Sequence, residues 1–177
     1  MIDFLLILVI ILLLIFALWI SSCFFGAPFQ PSSNKAMKEM LKLAKIKRGR
    51  LELARTRRRF RVADLGSGNG KIIIEFAKRG IEAHGFEINP LLVLLSQRRI
   101  KSLRLQKRAF IHWKNFMKAD LSKFNIITSF QISYIMPGLE NKLKKELKKG
   151  AKIISNTWKF PNWKPKRTIG HVYLYKK

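Results

Sequence analysis

The chain has 177 residues, which is enough for one domain with a hydrophobic core. Its formal net charge of +26 comes from 36 basic and 10 acidic residues, so strongly cationic ligands are poor candidates for partners of its surface. The single cysteine, Cys23, excludes an internal disulfide and a thiolate metal cluster. His84, His112 and His171 lie far apart along the chain. We predict packing or surface roles for all three, and no metal site.

The chain begins with a long apolar segment. Every residue of the range 4–20 is apolar, and no charge occurs between Asp3 and Lys35. A helix over this range spans roughly 26 Å, and one that continues through Phe25 reaches about 33 Å, which is enough to cross a bilayer. A signal peptide is the alternative, but its basic start is absent and its apolar core would be unusually long. We predict an uncleaved transmembrane anchor over residues 1–25.

The charge that follows the apolar segment predicts its orientation. Twelve lysine or arginine residues and only two acids lie between Lys35 and Arg61. By the positive-inside rule, we expect a single-pass membrane protein with its C-terminal domain on the cytoplasmic side. An anionic cytoplasmic leaflet attracts basic residues by about 1 kcal/mol each, although an RNA-binding surface has a similar composition. Charge alone does not separate these two partners.

Residues 26–60 are predicted to form a linker and a basic amphipathic helix. Two prolines within residues 26–34 disfavour a helix there. One of three polar residues can cap the helix that follows: Ser32, Ser33 or Asn34. Apolar residues then recur at helical spacing: Met37, Met40, Leu41 and Ala44. We expect this apolar face to pack against a sheet, and a basic hinge over residues 55–61 to lead into a domain over residues 61–177.

A glycine-rich turn follows the first predicted strand, residues 62–65. Gly66, Gly68 and Gly70 stand at alternate positions, where they let the backbone fold tightly beneath a bulky ligand. The dinucleotide fingerprint Gly-x-Gly-x-x-Gly fails, because Lys71 holds its last glycine position. Asp64 ends the strand, where an acid attracts a cationic ligand and repels a pyrophosphate. The pattern therefore favours S-adenosylmethionine over NAD.

A second acid supports this interpretation. The next predicted strand, residues 81–87, ends at Glu87, which lies 17 residues after Gly70. Ligands of open α/β folds bind at the carboxyl ends of strands, and an acid there accepts both hydroxyls of a ribose. A glycine turn by itself is often only a tight connection. Asp64, Glu87 and the strand–turn–helix–strand order together argue against that simpler interpretation.

Strands and helices alternate over the rest of the chain. Helices are predicted from Lys71 to Lys78, from Asn89 to about Leu103, and from about Leu139 to Lys148 with Gly150 as the C-cap. The buried side of the second of these helices is predicted to contain Leu91, Leu94, Leu95 and Ile100. Further strands are predicted over residues 109–112, 124–130, 151–156 and 171–175. The alternation predicts an α/β fold with a Rossmann-like, doubly wound and mainly parallel sheet, preceded by one transmembrane helix.

Several motifs in order resemble a known family. Residues 64–70 resemble the first motif of class I, seven-stranded methyltransferases. The wider order adds an apolar N-terminal segment, Pro-x-x-Pro-Ser, and motifs over residues 85–90, 120–124 and 160–165. This order is similar to that of the membrane-anchored lysine N-methyltransferases that modify the ATP synthase c-subunit or the adenine nucleotide translocase.

The resemblance implies a protein-lysine N-methyltransferase that uses S-adenosylmethionine and acts on a membrane or membrane-proximal protein. It assigns cofactor binding to Asp64, Gly66, Ser67, Gly68, Gly70 and Glu87, and it places Asn115 where class I enzymes often contact the adenine. Asn69, Lys71 and the basic insert over residues 55–59 differ from the family pattern, and the insert leaves the substrate assignment open. The catalytic base is unknown, while Gln131 and Tyr134 are candidates for lining the target pocket.

Two alternatives remain. A membrane-tethered RNA or DNA methyltransferase fits the charge, but the Asn/Asp-Pro-Pro-aromatic signature of base methylation is absent after Phe130. A non-catalytic membrane adaptor with a methyltransferase fold is the other alternative. The presence of Asp64, Glu87 and all three loop glycines argues against it.

Overall fold

A computed structural model describes residues 2–24, 32–45 and 60–177. Most of the predicted linker and nearly all of the basic hinge over residues 55–61 lie outside the described residues, and the predicted boundaries at 25 and 60 stay predictions. Helix α1 covers Ile2–Phe24, with side chains described over residues 4–16. Searched over the described residues, no helix is both long and apolar enough to cross a membrane. The predicted transmembrane helix is therefore not shown.

In the described part of the chain, seven strands form one sheet with the order β3-β2-β1-β4-β5-β7-β6. The strands are β1 (Arg61–Leu65), β2 (Glu82–Glu87), β3 (Ala109–Trp113), β4 (Ile126–Ser129), β5 (Lys152–Asn156), β6 (Arg167–Ile169) and β7 (Val172–Lys176). Strands β1 to β5 are parallel, whereas β7 is antiparallel to β5 and β6. The mainly parallel, Rossmann-like sheet is confirmed. The short β6 was not predicted, because three residues after Pro165 carry no periodicity.

Helices cover both faces of this sheet, as the doubly wound prediction requires. They are α2 (Asn34–Ala44), α3 (Lys71–Ala77), α4 (Pro90–Ser102) and α5 (Met136–Glu146). One core joins α2, α3 and Ile100 of α4 to inward side chains of the sheet such as Val62 and Ile126. The opposite core joins α5 to Ile127 and Ile153. The strand order reverses between β1 and β4, and open α/β sheets bind ligands outside the carboxyl ends of the strands at such a point.

The predicted amphipathic helix is α2. Ser33 caps it, since its Oγ accepts a hydrogen bond from the amide of Ala36 at 3.1 Å. It ends at Ala44, before Lys45 adopts a left-handed φ of 58°. The buried residues of α2 are Met40, Leu41, Leu43 and Ala44, and they pack against the sheet as predicted. This packing fixes the amino-terminal end of α2 near the carboxyl ends of β4 and β5.

The predicted buried side of α4 is largely wrong. Leu91, Leu94 and Leu95 are exposed by 60%, 43% and 45%, whereas the buried residues are Val93, Ser96 and Ile100. The start of α4 is held by Asn89, whose side chain caps the amides of the first turn. The Oγ of Ser96 also donates a hydrogen bond of 2.9 Å to the carbonyl of Gly68. This polar contact turns the face that carries Ser96 toward the glycine loop, and the leucines point away.

The third predicted helix differs from α5 at both ends. Helix α5 starts earlier than predicted, at Met136, directly after a 3-10 turn over Ser133–Ile135. It stops at Glu146, because Leu147 becomes extended with ψ 142° and buries its side chain. Gly150 does not cap the helix. It occupies the turn before β5, where its left-handed φ of 93° favours glycine.

Parallel pairing of β2 with β3 brings two histidines together. Nδ1 of His84 and Nε2 of His112 are 2.9 Å apart, and the rings stack with centroids 5.2 Å apart. Burial lowers the pKa of both imidazoles, so both are neutral at pH 7. The packing role predicted for these histidines is confirmed, and their separation in sequence concealed the contact between them.

Candidate active site

The glycine loop lies at the carboxyl end of β1 and is tied to β2. The amides of Gly66 and Ser67 both donate to the carbonyl of Phe86, at 2.9 and 3.1 Å. Gly66, Gly68 and Gly70 all have left-handed φ values, of 69°, 53° and 73°. A Cβ on Gly66 would lie 2.5 Å from Nε2 of Gln131, so a side chain at this position would displace the Gln131 amide and would also strain the left-handed backbone. The loop is therefore a tight backbone turn at the predicted ligand crevice.

Glu87 holds the loop in place with both carboxylate oxygens. Oε2 accepts a hydrogen bond of 2.8 Å from the amide of Gly68. Oε1 accepts bonds of 2.9 Å from the amides of Ile88 and Asn89. A carboxylate oxygen has two lone pairs, so Oε1 is fully used and Oε2 keeps one lone pair for a hydroxyl of the predicted ribose. The sequence indicated a ligand-binding acid, but it gave no sign of this second, structural role.

Asp64 is a buried acid beside the loop. Its Oδ1 accepts a hydrogen bond of 2.7 Å from Oγ1 of Thr128 on the neighbouring strand β4. Burial raises the pKa of Asp64 to about 7, the Thr128 hydrogen bond opposes this shift, and the nearby charge of Glu87 adds to it. No hydrogen bond or ion pair to a cationic side chain compensates Asp64 among the described residues. A bound cation would therefore stabilise the ionised carboxylate.

Ser67 and Asn115 take positions that the sequence did not specify. Ser67 is buried with its side chain against β2, where a Cβ on Gly85 would lie 2.5 Å from its Oγ. Within the described residues this hydroxyl has no hydrogen-bond partner. Asn115 is exposed after β3, and its Oδ1 caps a short 3-10 turn by accepting from the amide of Met117 at 2.8 Å. Both residues lie on the same sheet edge as Asp64 and Glu87.

The two candidates for lining the target pocket have different surroundings. Gln131 is buried, and its Nε2 donates a hydrogen bond of 2.7 Å to the carbonyl of Leu65. Its side chain thus packs on the glycine loop at Gly66. Tyr134 is 74% exposed. The structure places Gln131 against the loop and leaves Tyr134 at the surface.

A cavity of about 280 Å³ opens at the same end of the sheet. Its lining combines the first turns of α2 with the ends of β4 and β5 and with the β6–β7 turn. The lining residues include Ser33, Lys35, Glu39, Phe130, Asn156 and Gly170. The backbone just before α2 is joined to the glycine loop, because Nζ of Lys71 donates a hydrogen bond of 2.9 Å to the carbonyl of Ser32. The sequence analysis did not identify Glu39, since one acid on a basic helix carries no spacing signal.

Comparison with protein families identifies one match. The sequence profile described as the ANTKMT methyltransferase domain matches residues 64–167. The chain is 32% identical over 143 residues to the ATP synthase c-subunit lysine N-methyltransferase of Mus musculus, covering 81% of this chain and 53% of that protein. It is 32% identical over 158 residues to a protein-lysine N-methyltransferase of Saccharolobus islandicus, covering 84% and 92%. The chain thus spans about half the length of the mouse relative.

Solved structures share the fold. An RNA methyltransferase of Salinibacter ruber in complex with S-adenosyl-L-homocysteine aligns with a TM-score of 0.73 and 24% identity, covering 83% of this chain and 93% of that one. A methyltransferase of Thiobacillus denitrificans in complex with the same ligand aligns with a TM-score of 0.55 and 20% identity, covering 84% and 58%. At these identities the likeness establishes the fold alone.

Proposed function

The chain belongs to the family of the ANTKMT methyltransferase domain, and on that premise we propose that it transfers a methyl group from S-adenosylmethionine to the side-chain amine of a protein lysine. The resemblance predicted from the sequence motifs is confirmed by the same matches. The observation that carries the proposal is Asp64, a buried carboxylate beside a tight glycine loop. A cation beside Asp64 stabilises its ionised carboxylate. S-adenosylmethionine carries such a positive charge, whereas NAD carries an anionic pyrophosphate that the carboxylate would repel.

We assign the cofactor to the residues that the sequence predicted. Glu87 accepts hydrogen bonds from the ribose, and Asp64 faces the cationic methionine portion. The loop residues Gly66, Ser67, Gly68 and Gly70 approach that portion through their backbone, and Asn115 lies on the adenine side. When bound, S-adenosylmethionine would supply an activated methyl group. The acceptor lysine would first release a proton from its ammonium group to water, and the neutral amine would then take the methyl group to give a methylammonium product and S-adenosylhomocysteine. The protein contributes alignment of the two reactants and exclusion of water.

We further propose that the reaction takes place at the cytoplasmic face of a membrane, with residues 1–25 as a single-pass anchor. The uncharged, apolar range 4–20 and the twelve basic residues from Lys35 to Arg61 support this topology. The exposed leucines of α4 and the net charge of +26 suit an anionic bilayer surface. If the proposal is correct, the protein remains in the membrane fraction after alkaline carbonate extraction. Its release into the supernatant would contradict the anchor.

The acceptor is a protein in or near that membrane. Two of the relatives are named for lysine methylation of the ATP synthase c-subunit and of the adenine nucleotide translocase. For this chain we propose an acceptor lysine beside acidic groups or at an anionic membrane surface, because a strongly cationic enzyme repels a cationic target.

Nucleic acid is the competing acceptor, since the net charge of +26 favours binding to phosphate. The test separates the two acceptors in one reaction. The purified protein is incubated with native membranes and S-adenosylmethionine labelled in its methyl group, and the products are digested with protease or with nuclease. We expect label that nuclease leaves intact and protease releases. The opposite pattern would establish the nucleic-acid function, and the absence of both label and cofactor binding would refute the methyltransferase.

A further inference from the structure

We infer that the cavity at the amino-terminal end of α2 receives the acceptor lysine side chain and that Glu39 recognises its positive charge. The inference rests on the proposed function, because it assigns the second substrate of the same reaction. It adds a binding site and a specificity-determining residue to the cofactor site already described.

The cavity borders the cofactor site. Phe130 lines it and directly precedes Gln131, which packs on Gly66 of the glycine loop. Asn156 lines it from the end of β5, and its Nδ2 lies 3.5 Å from Oγ of Ser32. Lys71, the first residue after the glycine loop, binds the carbonyl of the same Ser32. The cavity therefore lies at the end of the sheet that also carries the glycine loop and Asp64.

Among the described residues, Glu39 is an acid without a partner, although the chain is rich in bases. It is half-buried, and no hydrogen bond or ion pair to it is found in the described part of the chain. By contrast, Glu75 pairs with Arg79, and Glu140 pairs with Lys144. The carboxylate of Glu39 faces the β6–β7 turn, where a Cβ on Gly170 would lie 3.1 Å from Oε2. Because Gly170 has no side chain, the carboxylate of Glu39 can form part of the cavity wall.

The remaining walls suit one aliphatic chain with a cationic end. At about 280 Å³ the cavity has room for a single extended side chain. Phe130 offers an apolar and aromatic surface for a methylene stem. Lys35 also lines the cavity, but its side chain is exposed and water screens its charge. Of the described residues that line the cavity, Glu39 is the only acid, which leaves it as the group that selects a cation.

The test measures lysine binding separately from cofactor binding. The full chain in detergent is saturated with S-adenosylhomocysteine, which has no methyl group to transfer. It is then titrated with N-acetyl-lysine methylamide, while backbone amide signals are followed by NMR. The norleucine analogue, which has the same stem without the amine, is the ligand control. Asp120→Asn is the matched variant control, because it removes one exposed acid that does not line the cavity.

We expect the lysine probe to shift the amides of Asn156 and Gly170, and the norleucine analogue to shift them far less. Glu39→Gln should weaken binding of the lysine probe about tenfold and leave the affinity for S-adenosylhomocysteine within twofold. Asp120→Asn should leave both affinities unchanged. Failure to bind S-adenosylhomocysteine at all would refute the proposed function itself. Normal cofactor binding with no shift at the cavity, equal binding of both analogues, or no effect of Glu39→Gln would overturn only the inference. If Glu39→Gln lost as much affinity for the cofactor as for the lysine probe, the cavity would be part of the cofactor site, and this result would also overturn the inference.

Discussion

Replacing Asp64 with asparagine should make the free protein more stable at neutral and alkaline pH. Asparagine keeps the shape of the side chain, and its Oδ1 still accepts the hydrogen bond from Thr128. It removes a charge that the buried site does not compensate. The residue that we assign to the cofactor therefore destabilises the empty protein, as active-site groups often do.

The magnitude follows from the pKa of Asp64, which burial raises from 3.8 to about 7. Between these two pH values the folded state holds a proton that the unfolded state has lost, so the free energy of unfolding falls as pH rises. The shift of about three units corresponds to about 4 kcal/mol, which is fully lost above pH 7. Asp64→Asn does not lose this free energy of unfolding, because asparagine does not ionise. Its advantage over the unmodified protein should be near zero at pH 4 and approach about 4 kcal/mol at pH 8.

The assay is urea-induced unfolding of both proteins in the same detergent, at several pH values from 4 to 8. Other carboxyl groups titrate in both proteins, so the difference between the two curves isolates Asp64. Asp120→Asn serves as the control, because hydrogen bonds from Ser122 lower the pKa of Asp120, so its titration lies below the pH range of the assay and its difference from the unmodified protein should stay nearly constant. A variant that is less stable at pH 8, or a difference that does not change with pH, would refute the reasoning.

Three further outcomes follow from the site. Asp64→Asn should bind S-adenosylmethionine about 10- to 100-fold more weakly despite its greater stability, which calorimetric titration checks; equal affinity would remove Asp64 from the cofactor site. Glu87→Gln should lose both stability, by about 1–3 kcal/mol, and cofactor affinity, because its carboxylate accepts three backbone amides; a loss of affinity alone would show that these amide contacts contribute little to the fold. Gly66→Ala should lose about 1–3 kcal/mol in urea unfolding, since φ is 69° and its Cβ would meet Gln131; the double variant with Gln131→Ala should recover only part of it, and full recovery would rule out backbone strain.

Local sequence signals predicted the sheet and the position of the glycine loop well. The alternation of strands and helices, the three loop glycines and the two strand-end acids can all be recognised from residues close together in sequence. The structure places the glycines and both acids at the carboxyl ends of the strands. The sequence failed where a contact between distant residues decides the outcome. Ser96 turns α4 by bonding to Gly68, so the leucines that suggested a buried face are exposed.

The same limit applies within the site. Glu87 signalled a ligand contact, but its hydrogen bond to Gly68 depends on how the loop folds against β2. The acid of the cavity, Glu39, was missed because only the packing of α2 on the sheet brings it to the ends of β4 and β5. Local patterns thus predicted the residues that we assign to the cofactor, whereas the candidate acceptor pocket required the tertiary structure.

Chemical identification of the methylated atom tests the central claim most directly. The protein is incubated with native membranes and S-adenosylmethionine that carries a trideuterated methyl group, and membrane proteins are then digested and sequenced by mass spectrometry. We predict trideuteromethyl groups on the ε-nitrogen of lysine in a membrane or membrane-proximal protein, and far fewer of them with Asp64→Asn when S-adenosylmethionine is below saturation. Deuterated methyl groups only on nucleobases, or only on protein atoms other than a lysine nitrogen, would contradict the account.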